Sequence, residues 1–156
     1  VAPYKGITAL MFRVANRTKS ELVDIQASVI LSYVIQENGK PIRKFSNLKL
    51  ELTKVNLLST SWTIVHPIDE ESPLYNWKEA DFKKNDLEVL ALLQAYEETF
   101  SQTVHTRTSY TNEELHYGAK FESVIEAGPN GSITIALDKI DNFVRVDLEQ
   151  EIIRTA

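Results

Sequence analysis

The chain has 156 residues, of which 43% are hydrophobic and 25% are charged, and its formal net charge is −5 at pH 7. These are the values of a globular protein with a core of its own, so we expect a single domain over residues 1–156 and exclude wholesale disorder. The negative charge argues against a nucleic-acid-binding surface, and the absence of cysteine excludes a disulfide framework and thiol catalysis.

Alternating apolar residues predict strands in the first part of the chain. Ile7–Val14 is predicted to be a strand with Leu10 and Phe12 on its core face. The polar turn Ala15–Ser20 separates it from the clearest pattern of the chain, in which apolar and polar residues alternate over Val23–Ile35. Strict period two over that length predicts a long, half-buried antiparallel strand.

A tight hairpin is predicted at Asn38-Gly39, because these residue types accept the positive φ that such a turn requires at both central positions. The returning strand is expected to place four apolar residues toward the core: Phe45, Leu48, Leu50 and Leu52.

The stretch Ser61–Trp77 combines a strand, an acidic corner and an aromatic anchor. Its first part alternates like a strand, with Ile64 and His66 on one face. Pro67 lacks the amide hydrogen that a ladder needs, so it is predicted to end the strand. The acidic residues 69–71 then form a solvated corner.

A short helix and a strand that is apolar on both faces follow. Asn76 is predicted to cap a helix over Trp77–Lys84. The strand Asp86–Tyr96 fits either a central strand covered on both sides or a strand in a subunit contact. The polar connection Glu97–Gln102 carries one exposed aromatic residue, Phe100.

The last third of the chain predicts shorter strands between turns. These strands are Thr103–Tyr110, Ala119–Ala127, Ser132–Leu137 and Phe143–Leu148. Asp138 is predicted to cap a brief helix. Eight or nine short strands with one or two short helices predict an all-β sandwich.

The sequence holds no motif with the spacing of a catalytic or metal site. His66, His105 and His116 are far apart and have no cysteine nearby, so we interpret them as structural residues. No acidic run has the spacing of a calcium loop, so the following are interpreted as solvated loop surface: Asp69-Glu70-Glu71, Glu97-Glu98 and Glu113-Glu114. We therefore expect no cofactor, no metal and no catalysis, which leaves a binding, regulatory or assembly module.

Three basic residues surround the first turn: Arg13, Arg17 and Lys19. Two interpretations remain open for them. They contact an anionic lipid headgroup or an acidic neighbouring subunit, or they belong to a plain solvated turn.

Four segments, in this order, resemble the cytoplasmic domain of inward-rectifier potassium channels, especially the bacterial members. They are LMFRVANRTKSELVDIQASV (Leu10–Val29), SWTIVHPIDEESPLY (Ser61–Tyr75), LEVLALLQAYEETFSQTVHTRTSY (Leu87–Tyr110) and ELHYGAKFESVI (Glu114–Ile125). The short element DKIDNFVRVD is similar to the closing segment of the family.

The resemblance implies an immunoglobulin-like β-sandwich that assembles as a homotetramer on the cytoplasmic side of the cell membrane. Such a ring prolongs the path of potassium ions and couples signals to the gate. The resemblance also implies that Glu114 supplies a vestibule carboxylate and that Phe100, Ser101 and Gln102 form a narrow girdle. Anionic lipid is implied as a further partner through a basic linker that this chain lacks.

The departures from the family are specific. Tyr117-Gly118-Ala119-Lys120 replaces the family's Trp-Gly-His-Arg, and Lys40 replaces a vestibule glutamate of many eukaryotic members, which argues against strong polyamine block. No apolar run approaches the ~20 residues that span a bilayer. The start at Val1 without methionine favours a piece cut from a longer channel.

Two other classes of function stay open on the sequence. One is a stand-alone immunoglobulin-like module that binds a lipid or protein partner. The other is a hydrolase that would use Asp69 or Glu70 together with His66.

Overall fold

Most of the chain is β-structure in the computed structural model, which describes residues 1–17, 20–58, 61–128 and 131–149. The α-helix α1 (Glu79–Lys84) and a 3₁₀ turn (Leu137–Lys139) lie between strands. The strands are β1 (Ala2–Tyr4), β2 (Ile7–Ala15), β3 (Leu22–Glu37), β4 (Lys40–Asn47), β5 (Lys54–Leu57), β6 (Ser61–Ile68), β7 (Glu88–Glu97), β8 (Gln102–Thr111), β9 (Ala119–Phe121), β10 (Ile125–Ala127), β11 (Ile133–Ile135) and β12 (Phe143–Arg145).

Two antiparallel sheets form a sandwich. The smaller sheet has the order β1-β2-β6, and the larger has the order β4-β3-β7-β8, with β5 also paired to β3. Two further ribbons, β10-β11 and β12-β9, follow the sandwich in the chain. The predicted all-β sandwich with short helices is confirmed.

The hydrophobic core lies between the two sheets. β2 and β6 contribute Leu10 and Ile64 from one side, and β3 and β7 contribute Leu31 and Val89 from the other. All four side chains are almost fully buried. The alternating apolar residues that predicted β3 therefore lie on the face that meets the core. In the larger sheet, β7 is a central strand between β3 and β8.

The hairpin between β3 and β4 turns where the sequence predicts it, with φ of 53° at Asn38 and 75° at Gly39. The side chain of Phe45, however, is 70% exposed, so its predicted place in the core is wrong. Phe45 pairs with Ser32, on the face of the larger sheet that points away from Leu31. An apolar residue therefore lies on the outer face of this sheet.

The segment after β4 differs from the predicted strand. β4 ends at Asn47, and residues 48–53 have no regular strand structure. Leu48 and Leu50 are buried as predicted, but Leu52 is exposed. The alternation of apolar and polar residues does not predict burial there, because the chain leaves the larger sheet and crosses to β6. At that point the N–H of Glu51 donates to the carbonyl of Val65 at 2.9 Å.

β6 continues through Pro67 to Ile68, so the prediction that Pro67 ends the strand is wrong. The carbonyl of Val65 accepts from Glu51, so it points away from β2, and Pro67, two residues on, has the same orientation. Its missing N–H therefore lies on the outer edge of β6, away from β2, and removes no hydrogen bond from the pairing with β2.

The helix α1 begins at Glu79, two residues later than predicted. Its N-cap is Lys78, whose backbone N–H donates to the carboxylate of Asp81 at 2.8 Å. Asn76, which was predicted to cap the helix, has a φ of 63° and lies before it. The local carboxylate therefore sets the start of the helix.

The end of the chain is more divided than its pattern predicts. The single strand predicted over Ala119–Ala127 is two strands, β9 and β10, in separate ribbons. Asp138 lies within the 3₁₀ turn and does not cap it, because the N-cap position is Ala136. β12 ends at Arg145, earlier than expected. Residues 129–130 and the tail 150–156 lie outside the described residues.

Candidate functional site

The turn between β7 and β8 presents the predicted girdle residues at one end of the larger sheet. Phe100 is 75% exposed, and Gln102, the first residue of β8, is also exposed. Ser101 has a φ of 51°, and its N–H donates to the carbonyl of Glu98 at 3.3 Å. The three residues therefore share one exposed and tightly turned site.

A buried carboxylate holds this turn in shape. Glu97 is only 5% exposed, and its two oxygens accept hydrogen bonds from the backbone N–H groups of Thr99 at 3.0 Å and Phe100 at 2.9 Å. Burial alone would raise the pKa of Glu97, but these bonds keep it below its ordinary value. From the sequence we interpreted Glu97 as solvated surface. The available signal was its position two residues before Thr99 and three before Phe100, because an acidic side chain there can accept from their backbone N–H groups.

Glu114 lies in the turn that follows β8, at the opposite end of that strand. One carboxylate oxygen accepts from the N–H of Thr111 at 2.8 Å and from its hydroxyl at 3.0 Å, which lowers the pKa of Glu114. Ten residues at about 3.3 Å each separate the ends of β8 by roughly 30 Å. Within one chain, Glu114 and Phe100 are therefore far apart.

A cavity of about 220 Å³ lies between β2, the turn after β8, and the ribbon of β9 and β12. The structure brings Arg13 and Glu114 to the wall of this one cavity, although we predicted separate roles for them. The residues around them include two phenylalanines, a tyrosine and an acid: Phe121, Phe143, Tyr110 and Asp141. No sequence pattern joined these residues, because they come from four distant parts of the chain.

The guanidinium of Arg13 is half-buried against this cavity. It lies over the ring of Phe121, 4.3 Å from the centroid, and its Nη1 donates to the carbonyl of Glu122 at 2.8 Å. Burial lowers the pKa of Arg13 and Asp141 opposes that shift, so the group remains charged. Arg17, by contrast, is exposed, and Lys19 lies outside the described residues.

His66 is a buried structural residue. It is 2% exposed, with Nδ1 2.7 Å from the carbonyl of Lys49 and Nε2 2.8 Å from the hydroxyl of Ser72. Burial lowers the pKa of His66, so the imidazole is neutral. Both ring nitrogens are occupied, and a hydrolase that uses Asp69 or Glu70 would therefore lack its base.

Among the residues that the structure describes, no three His, Asp or Glu side chains are placed to hold a metal ion. None of the helices over the same ranges has the length and apolar character needed to cross a membrane.

Comparison with known proteins gives a consistent result. Residues 1–155 match the family described as "Inward rectifier potassium channel C-terminal domain". The chain is 30% identical over 146 residues, 93% of its length, to the inward rectifier potassium channel Kirbac3.1 of Paramagnetospirillum magnetotacticum. It is 32% identical over 126 residues, 77% of its length, to inward rectifier potassium channel 4 of Homo sapiens and of Mus musculus. These matches cover 50% of the bacterial relative and 28% of the mammalian ones.

Proposed function

This chain belongs to the inward rectifier potassium channel C-terminal domain family, and we propose that it is the cytoplasmic, pore-extending and regulatory domain of such a channel. The match over residues 1–155 carries the proposal. The family is one of ion channels and not of enzymes. Because the chain spans about half the length of its bacterial relative, the filter and the membrane helices belong, in this proposal, to parts of the channel outside it.

In this proposal the chain acts as a single domain, and four copies surround the path of potassium ions on the cytoplasmic side of the membrane. Closed cyclic symmetry turns one exposed side chain per copy into a ring of four. The turn that carries Phe100, Ser101 and Gln102 would form the narrow girdle, since Phe100 is highly exposed and the carboxylate of Glu97 fixes the backbone behind it.

Glu114 would supply a ring of carboxylates at the other end of β8. Its hydrogen bonds to Thr111 lower its pKa, so each copy contributes a full negative charge at neutral pH. A ring of like charges around a narrow path concentrates potassium ions there.

The three basic residues near the first turn have different roles in this proposal. Arg17 is exposed and is the one better placed to contact an anionic lipid or a neighbouring subunit. Arg13 is already engaged with Phe121 and Glu122, and it lies in a cavity of its own chain. A lipid role for Lys19 stays a prediction.

Cross-linking tests the ring directly, because the chain has no cysteine of its own. In a ring with a narrow girdle, Phe100→Cys brings four thiols close together, and mild oxidation should cross-link copies rapidly. Phe45→Cys is the matched control, because Phe45 is similarly exposed but lies on a sheet face. Light scattering over rising protein concentration should show tetramers in the same samples.

Two results together would overturn the ring. These are a mass that stays that of a monomer at every concentration, and Phe100→Cys cross-linking no faster than Phe45→Cys. That outcome would instead favour a stand-alone module that binds a lipid or protein partner.

A further inference from the structure

Two opposite charges line the cavity next to β2 without touching each other. Arg13 and Asp141 both face it, and the negative charge of Asp141 acts on the guanidinium. Yet within the described part of the chain no N–O distance of 4.0 Å or less joins the two side chains. A gap therefore separates the half-buried cation of Arg13 from the exposed anion of Asp141 at the wall of the cavity.

The cationic side of the cavity has donors to spare. Arginine carries five N–H donors, and the described residues accept one hydrogen bond from Arg13, that from Nη1 to Glu122. Its contact with the ring of Phe121 and its hydrogen bond to Glu122 hold the guanidinium in place. A planar guanidinium held in this way suits a carboxylate, which it binds with two parallel hydrogen bonds.

The anionic side of the cavity is formed by Asp141 and Glu114, which line it together with Tyr110. Burial raises the pKa of Tyr110, and the two carboxylates raise it further. The ring of Tyr110 is itself held by stacking on Phe12, with centroids 5.6 Å apart. This side suits an ammonium group, which donates three hydrogen bonds.

Apolar side chains line the space between the two charged sides. They include Met11, Leu115, Phe121 and Phe143. The volume of about 220 Å³ is below the roughly 300–1,000 Å³ of sites for drug-sized ligands. A nucleotide is too large for this space, and two carboxylates would repel its phosphates.

We propose that this cavity binds a free α-amino acid with an apolar side chain. Its carboxylate would lie on the guanidinium of Arg13, its ammonium beside Asp141 and Glu114, and its side chain against Phe121 and Phe143. Such a zwitterion places a counter-charge at both ends of the cavity, whereas a simple acid or amine leaves one end without a counter-charge. All these residues belong to one chain, so the inference is independent of the tetramer.

Calorimetric titration of the chain with L-leucine and L-phenylalanine tests the proposal. Two analogues separate the charges: N-acetyl-L-leucine has no ammonium, and L-leucinamide has no carboxylate. Each lost charge-assisted contact should weaken binding about tenfold or more. Analogues that bind as tightly as leucine, or binding of ATP without binding of either amino acid, would overturn it, as would no binding of any probe.

Matched variants locate the site. Asp141→Asn and Arg13→Gln should each weaken amino-acid binding about tenfold or more. The controls Asp138→Asn and Arg17→Gln remove the same charges from exposed positions and should leave the affinity unchanged. If the Arg13→Gln variant does not fold, the Asp141→Asn variant alone tests the site. Asp141 is exposed, so its substitution leaves no buried charge without a partner. Equal affinity in Asp141→Asn and Asp138→Asn would refute the site.

Discussion

The imidazole Nε2 of His66 lies 2.8 Å from the hydroxyl of Ser72, inside the protein. The other ring nitrogen faces the carbonyl of Lys49, which can only accept, so Nδ1 carries the proton. Nε2 therefore accepts from Ser72, whose oxygen accepts in turn from the N–H of Leu74 at 3.1 Å. This chain of hydrogen bonds joins the segment after β4, the strand β6 and the turn after the acidic corner, and it requires a neutral imidazole.

Stability should therefore depend on pH through His66. Its pKa is lower in the folded chain than the ordinary value of about 6.5, because burial disfavours the charged form. Between the folded and unfolded pKa values the unfolded chain binds more protons, so the free energy of unfolding falls as pH drops below about 6.5. Urea unfolding from pH 8 to pH 5 measures this slope. His66→Gln should flatten it and His105→Gln, at an exposed position, should not; equal slopes in all three proteins would contradict the assignment.

Ser72→Ala should destabilise the fold by about 1–3 kcal/mol, because it leaves the Nε2 of His66 and the N–H of Leu74 buried without a partner. Urea unfolding at pH 8 gives the free energy. Ser109→Ala, at an exposed position of β8, is the control and should change it by less than about 0.5 kcal/mol. A loss in Ser72→Ala no larger than in the control would show that the buried chain of hydrogen bonds contributes little.

Glu97→Gln should loosen the β7–β8 turn, because a neutral amide oxygen is a weaker acceptor for the N–H groups of Thr99 and Phe100. Hydrogen exchange should become faster at those two amides and stay unchanged in the middle of β7. Glu98→Gln is the control, since Glu98 is exposed. The pKa of Glu97 is lowered in the folded chain. In the unsubstituted chain, the slow exchange of the two amides should therefore be retained at pH values above the ordinary pKa of glutamate, and it should be lost as the pH falls through the pKa of the folded chain. Identical exchange in the two variants would remove Glu97 from this role.

Glu114→Gln, made in a full-length channel that carries this domain, should reduce inward rectification or the occupancy of cations in the pore. The physical reason is that, in the proposed ring of four copies, the change would remove four negative charges. Glu113→Gln, at the exposed neighbouring position, is the control for a general change in surface charge. Currents in Glu114→Gln that match the native channel would remove Glu114 from the pore.

The sandwich could be predicted from local pattern because most of its strands have one buried face. The burial of β3 alternates over residues 24–31, and the Asn38-Gly39 turn has a conformation that few other residue types accept. Phe45 was misplaced because it was grouped with Leu48, Leu50 and Leu52, although strict alternation places it on the opposite face, with Asn47. Its pairing with Ser32 in the structure follows that alternation.

The candidate site was harder to predict than the fold. The turn at Phe100 was recognisable because its residues are consecutive, and the exposure of Phe100 is confirmed. The cavity was not recognisable, because Arg13 and Tyr110 lie in different sheets and Asp141 in a turn, and only the packing of the fold brings the three together. The anchoring of Glu97 also escaped prediction, since a run of acids resembles solvated surface until the backbone amides around it are known.

Pro67 affects how a strand of another molecule could pair with β6. A strand from another molecule that tried to extend the smaller sheet along β6 would find no amide hydrogen at that position, and the sheet could not grow there without losing a bond. The proline thus leaves the pairing with β2 complete, while it removes one donor from the outer edge of β6, next to the carbonyl of Val65 that Glu51 already contacts.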